Sequence, residues 1–190
     1  MKKNSILLSS FILFATNHIV KSSVDDQLHL LLLQTKKPTM QSSIDNFFDL
    51  LDRYIQEGAN INENNNGKPL LFQIITSGRF FHAHALLSYG ANVCIVDKKG
   101  NTALHILSSL YSNRPFIETI NMVNNLIDHG ANINQQNNEG NTPFLQAIIN
   151  DDYYYAQILR QTGANITIIN NQGFAVSGIE LNLLDAIAYL

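Results

Sequence analysis

The phrase Gly-Ala-Asn followed by Ile or Val stands four times in this chain of 190 residues. It occupies Gly58 to Ile61, Gly90 to Val93, Gly130 to Ile133 and Gly163 to Ile166, so that successive glycines are 32, 40 and 33 residues apart. Self-similarity at this period marks a stack of like units, each one supersecondary element unable to bury its apolar side alone. A second phrase keeps step with the first. Gly100-Asn101-Thr102-Ala103-Leu104-His105, Gly140-Asn141-Thr142-Pro143-Phe144-Leu145 and Gly173-Phe174-Ala175 each begin ten residues after a phrase glycine, and Gly67-Lys68-Pro69-Leu70-Leu71 begins nine after. Two phrases in one register set the units.

Each unit reads as helix, turn, helix and a longer polar turn. Thr142-Pro143 is an N-cap followed by a residue pre-set for the first helical turn, and Thr102-Ala103 opens the same helix one unit earlier. First helices are predicted over about 68–77, 102–110 and 142–149. Second helices carry apolar residues at helical spacing: Phe81, Ala85, Leu86; then Ile120, Val123, Leu126, Ile127; then Ala156, Ile158, Leu159. These run into Gly90, Gly130 and Gly163, where glycine takes the left-handed conformation that ends a helix. About ten polar residues follow each glycine, as in Asn134 to Gly140, and suit a hairpin-like turn.

These residues resemble the ankyrin repeat family. The family's turn acid and Gly-x-Thr-Pro-Leu-His phrase is nearly met by Asp97 to His105. Its Leu-Leu-x-x-Gly-Ala phrase is met by Leu86-Leu87-Ser88-Tyr89-Gly90-Ala91 and by Leu126-Ile127-Asp128-His129-Gly130-Ala131. The likeness is close over 58–190 and looser over 24–57. It implies an all-α solenoid of stacked helix-turn-helix pairs with projecting β-turn fingers, in units of about 58–89, 90–129 and 130–162 with a degenerate terminal cap at 163–190. In the family the histidine matched by His105 bonds neighbouring loops, which implies a structural role here.

The departures are as informative. Pro69 and Leu70 hold the Thr and Pro slots of the first unit, Phe72 and Leu145 stand where histidine is usual, and the last unit is degenerate. The second unit is longer than its neighbours around Leu110 to Pro115, and Pro115 forbids a continuous helix there. Upstream, Gln27 to Gln34 and Ser43 to Glu57 are predicted as a helix pair, a capping pair or diverged repeat over 24–57. Residues 1–23 begin with a short basic stretch and an apolar run from Ile6 to Ala15, too short to cross a bilayer as a helix but suited to a secretory signal. A cleaved signal implies a secreted or periplasmic protein. Uncleaved, residues 6–15 leave a membrane-anchored scaffold or, packed as an ordinary helix, a cytoplasmic one.

Net charge is −3, with no pile-up of Lys or Arg, which argues against nucleic acid as a partner. One cysteine, Cys94, excludes an internal disulfide and reads as a small buried hydrophobe. His82 and His84 stand two apart on a helix, about 200° around it, so no metal is expected there. No cofactor and no catalytic residue are expected; the alternative, an enzyme, needs a constellation that the sequence does not display, the inserted loop near Arg114 being one place for it. Asp151-Asp152 before Tyr153-Tyr154-Tyr155 reads as a helix start, with some of the tyrosines exposed. A stack of this kind offers an extended concave face for another protein, bound by a monomer through its fingers and first helices. The expected contact set is Glu63, Asn65 and Lys68; Lys98, Lys99 and Asn101; Gln136, Glu139 and Asn141; Asn171 and Gln172.

Overall fold

The computed structural model describes residues 24–37, 39, 41–65, 68–110 and 116–176. The predicted signal segment, the inserted loop with Arg114 and most of the terminal cap lie outside the described residues.

Eight helices stand among the described residues: α1 (Val24–Gln34), α2 (Gln41–Gln56), α3 (Leu70–Thr76), α4 (Phe80–Ser88), α5 (Ala103–Leu107), α6 (Phe116–Asp128), α7 (Pro143–Ile149) and α8 (Tyr153–Gln161). Strand pairing among them amounts to β1 (Asn64–Asn65) against β2 (Lys68–Pro69), the two sides of the first finger. The fold is all-α. First helices form one row, with α3 packed on α1, α5 on α3 and α7 on α5. Each second helix packs on its own first helix, as α2 does on α1, α4 on α3 and α8 on α7. The front pair joins the second row through aromatic edges: Phe47 lies 5.5 Å from Phe81 and 5.2 Å from the ring of His82, centre to centre. The core is therefore a strip running between rows, from Leu28 and Leu32 through Leu70, Leu86 and Leu104 to Phe144 and Leu159, all fully buried. Nearest-neighbour burial of this kind is what holds a repeat stack together.

The four-residue phrase now has a physical reading at every position. Gly90 takes φ +84, and its N–H bonds back to Leu87 while the next N–H, of Ala91, reaches Leu86. This pair of bonds closes the last carbonyls of α4, and the same pair recurs at the three other phrase glycines. Ala91 is buried against the core, where a small side chain fits. The asparagine then turns the chain. The Oδ1 of Asn92 accepts from the N–H of Cys94 at 2.9 Å, as Asn60, Asn132 and Asn165 accept from Asn62, Asn134 and Thr167. Val93 follows, turned inward and buried.

That alternation overturns one expectation. Cys94 is exposed, not buried, because it follows buried Val93 in a segment where Ala91 and Val93 face the core and Asn92 and Cys94 face out. The helix bounds also shift. First helices are shorter than predicted, since α5 ends at Leu107 and α3 starts only after β2.

Candidate partner-binding surface

The fingers are built by one acid or amide per unit. Asp97, Asn137 and Asn170 occupy the same register, and each uses one carboxyl or amide oxygen to accept two backbone N–H groups of its own turn. For Asp97 these are Lys99 and Asn101, for Asn137 Glu139 and Asn141, and for Asn170 Gln172 and Phe174, all at 2.8–3.0 Å. The amides have a hydrogen left to give, and give it to the preceding unit. Asn137 Nδ2 donates to Asn101 Oδ1 and Asn170 Nδ2 to Asn141 Oδ1, both at 2.8 Å. Backbone bonds run alongside, from Asn138 N to Lys99 O and from Asn171 N to Glu139 O. Tip is thus tied to tip.

A second series binds the bases of the units. Asn62 Oδ1 accepts from Asn92 N, and Asn134 Oδ1 from Asn165 N, each at 2.7 Å. Asp25 Oδ1 does the same for Asn60 N, which joins the front helix pair to the repeats. At this register the second unit carries Cys94, whose Sγ lies 4.0 Å from the carbonyl of Gly130.

His105 completes the inner ties. Its Nδ1 accepts from Thr102 N at 3.2 Å and lies 2.9 Å from Thr102 Oγ1, so the proton sits on Nε2, which donates to Asn141 O at 2.9 Å. Burial holds this imidazole below the ordinary histidine range, and the bond to Asn141 opposes that effect only in part. In the third unit Thr142 still caps α7, accepting from Leu145 N at 3.2 Å. Tyr155 is fully buried, with its hydroxyl donating to Leu104 O at 2.9 Å, whereas Tyr154 is exposed.

Against this frame the expected contact residues separate. Asn141 is 2% exposed and its amide is engaged by Glu139, Gln146 and Asn170, so it belongs to the joint between fingers and not to the outer surface. An asparagine beside a glycine reads as solvated until the next unit is laid over it. Asn101 is half-buried and bonded to Asp97 and Asn137. Glu63 is half-buried against His29, 3.0 Å away. Gln136 and Asn171 are exposed, yet each spans two fingers: Gln136 Nε2 reaches Ile169 O, and Asn171 Nδ2 reaches Asn138 O. Glu139 and Gln172 are exposed. The side chain of Asn65 lies outside the described residues.

Three of the expected residues come together. Lys68, Lys98 and Lys99 border a groove of about 430 Å³ between the first two fingers and helices α3 and α5, with Phe72, Gln73, Thr76 and Ile106 as its remaining wall alongside Asp97. The carboxylate of Asp97 is already committed to two N–H groups and to Asn101 Nδ2. Three lysines therefore border a largely apolar wall that carries one internally satisfied acid. Neither Phe72 nor Ile106 was expected in the contact set, because only the stacking of α3 on α5 brings them together with the lysines. Their register was the available signal: Phe72 fills the histidine slot, and Ile106 follows His105.

His82 and His84, separated around their helix by sequence spacing, both border one cleft beside the α3–α4 turn. Among the described residues no group of three or more His, Cys, Asp or Glu stands where it could hold a metal ion, and no helix is long and apolar enough to cross a membrane.

Residues 99–138 match the sequence profile of the ankyrin repeat. The chain is similar to two ankyrin repeat proteins of fowlpox virus. One is 31% identical over 129 residues, 65% of this chain and 33% of that protein. The other is 34% identical over 100 residues, 52% of this chain and 21% of that protein. It is also similar to the phosphocholine transferase AnkX of Legionella pneumophila, 29% identical over 127 residues, 65% of this chain and 13% of that enzyme. The chain thus spans a third or less of the length of each of these relatives.

Proposed function

Since the chain belongs to the ankyrin repeat family, whose repeats are protein–protein interaction modules, we propose that it is a non-catalytic module holding an acidic segment of another protein between its first two fingers and first helices. The observation that supports this is the gathering of Lys68, Lys98 and Lys99 over Phe72 and Ile106. Apolar contact supplies affinity there, and the ammonium groups supply steering and register toward carboxylates. Glu139, Gln136, Asn171 and Gln172 extend the surface along the outer fingers with little net charge. The likeness to a transferase covers a small share of that enzyme.

The test is a peptide array of acidic and neutral sequences probed with the full chain and with a Lys68→Glu/Lys98→Glu/Lys99→Glu variant. The wild type selects acidic peptides containing apolar residues, and its binding weakens steeply with salt. The variant loses that selection at least about tenfold while its melting temperature stays within about 2 °C, as expected of exposed substitutions. Equal binding by both proteins would remove the groove from the interface.

We also read the module as acting as a single copy, and as exported on the strength of the basic-then-apolar order of Met1 to Ala15. N-terminal sequencing of the protein recovered from its producing cell decides this. A start between Thr16 and Val24 fits a cleaved signal, and an intact Met1 on membrane-bound material fits the tethered scaffold instead.

A further inference from the structure

The cleft beside the α3–α4 turn shares no lining residue with the finger groove. It encloses about 450 Å³ and is bordered by Lys36 and Lys37 from the α1–α2 connection, by Arg79, His82 and His84 at the start of α4, and by Glu118 of α6. Lys36 and Lys37 are exposed at its rim. Helix α4 begins here without a side-chain cap, Arg79 standing at the N-cap where Asp152 caps α8 by accepting from Tyr155 N. The open end of a helix and three basic side chains favour a negative charge.

His82 narrows what that charge can be. Its ring is 1% exposed and packs edge-on to Phe47 and Phe81. The hydroxyl of Thr35 gives its single hydrogen to Leu31 O, so Thr35 Oγ1 accepts from His82 Nε2, 3.0 Å away. The neutral ring then presents a lone pair at Nδ1, and that atom is buried with no hydrogen-bond partner. A buried acceptor left open calls for a donor. Arg79 does not serve it, since its guanidinium is turned to Thr35 O. Burial, with Arg79 nearby, holds the ring neutral down to about pH 4. A group that carries negative charge and one hydrogen at the same time answers both features. Sulfate and carboxylate have no hydrogen to give at neutral pH.

We infer that this cleft is a binding site for a singly protonated phosphate group, its P–OH donating to His82 Nδ1 and its charged oxygens facing Lys36, Lys37, Arg79 and the open N-terminus of α4. Among the described residues Glu118 is the one carboxylate on the rim; it opposes the bound charge and favours the protonated form of the phosphate. The same group is found on free hydrogen phosphate and on a phosphorylated side chain.

Calorimetric titration of the full chain tests this with inorganic phosphate, sulfate and a short phosphoserine peptide at pH 6 and pH 8. Phosphate binds at least about tenfold more tightly than sulfate at pH 6, and the peptide weakens by roughly tenfold or more by pH 8, as the protonated monoester, with its second pKa near 6, disappears. His84 also gains charge toward pH 6, and a His84→Gln variant keeps the phosphate-over-sulfate preference if His82 is its source. His82→Leu abolishes that preference. Should the leucine variant not fold, Lys36→Ala/Lys37→Ala, on exposed positions, serves instead and weakens phosphate about tenfold. Tighter binding of the peptide than of inorganic phosphate assigns the site to a phosphorylated partner, and parity assigns it to the free anion. Equal affinity for sulfate and phosphate, or phosphate binding untouched by the lysine substitutions, overturns the assignment.

Discussion

The imidazole of His105 donates from Nε2 to the main-chain carbonyl of Asn141, 36 residues further on, across 2.9 Å of fully buried space. The bond joins the first helix of one unit to the finger of the next, and its geometry needs both nitrogens: one takes the Thr102 N–H while the other gives. Replacing His105 by Leu keeps the bulk, orphans the buried Thr102 N–H and leaves the Asn141 carbonyl with the Asn137 N–H alone. The expected loss is about 1–3 kcal/mol in urea denaturation. A variant as stable as wild type would mean the tie contributes nothing net.

The buried histidines set a pH limit. His82 is held down to about 4 and His105 and His84 below their usual value, in each case first by burial. The unfolded chain therefore binds protons that the folded chain refuses. Their contribution is complete above about pH 6.5, the ordinary histidine value, and declines as pH falls from there toward 4. Denaturation at pH 7.5, 6 and 5 should show stability dropping by about 1–3 kcal/mol over that span. His82→Phe flattens the slope. A flat profile in the wild type would contradict the burial of these rings.

Cys94→Asn should stabilise the protein. Asn62 and Asn134, at the same register, each accept from a backbone N–H of the following unit at 2.7 Å. An asparagine at 94 places an acceptor beside Asn132 N and mends the missing rung. The expected gain is about 0.5–1 kcal/mol, the net worth of one hydrogen bond, read as a rise in the urea midpoint with unchanged slope.

Two glycine substitutions should differ although both residues have positive φ. An alanine Cβ at Gly90, φ +84, meets nothing within 4 Å. At Gly100, φ +76, it lands 2.4 Å from Asn138 Oδ1 and 2.9 Å from Asn138 N. Gly90→Ala pays only the left-handed backbone cost of about 1–2 kcal/mol. Gly100→Ala adds the displacement of the next finger, and its loss in thermal denaturation should be clearly the larger.

How much of this the sequence disclosed depends on whether a residue answers to its own unit or to a neighbour. Gly90, Thr142 and the apolar stripe of α8 are local devices, and their spacing sufficed to place them. The role of His105 came through the family resemblance and holds in the geometry. Asn141 misled, because its burial is imposed by Asn170 and Gln146, and nothing local distinguishes it from the exposed Asn171. Cys94 was legible and misread: the alternation of Ala91, Asn92, Val93 and Cys94 pointed outward more strongly than cysteine's general taste for the interior. The finger groove and the His82 cleft each join residues from separate units, Lys68 with Lys98 and Lys36 with Glu118, so only the assembled stack reveals them.

The spine through the fingers runs one way. Asn137 and Asn170 each hand a hydrogen back to the finger before, whereas Asp97, a carboxylate at the same register, has none to hand. The array therefore has a built-in origin. A tandem copy of residues 130–162 would lengthen the spine without a gap, while a tandem copy of residues 90–129 would place a second aspartate, with no hydrogen to hand back, next to the first and leave the chain of amides no longer than before.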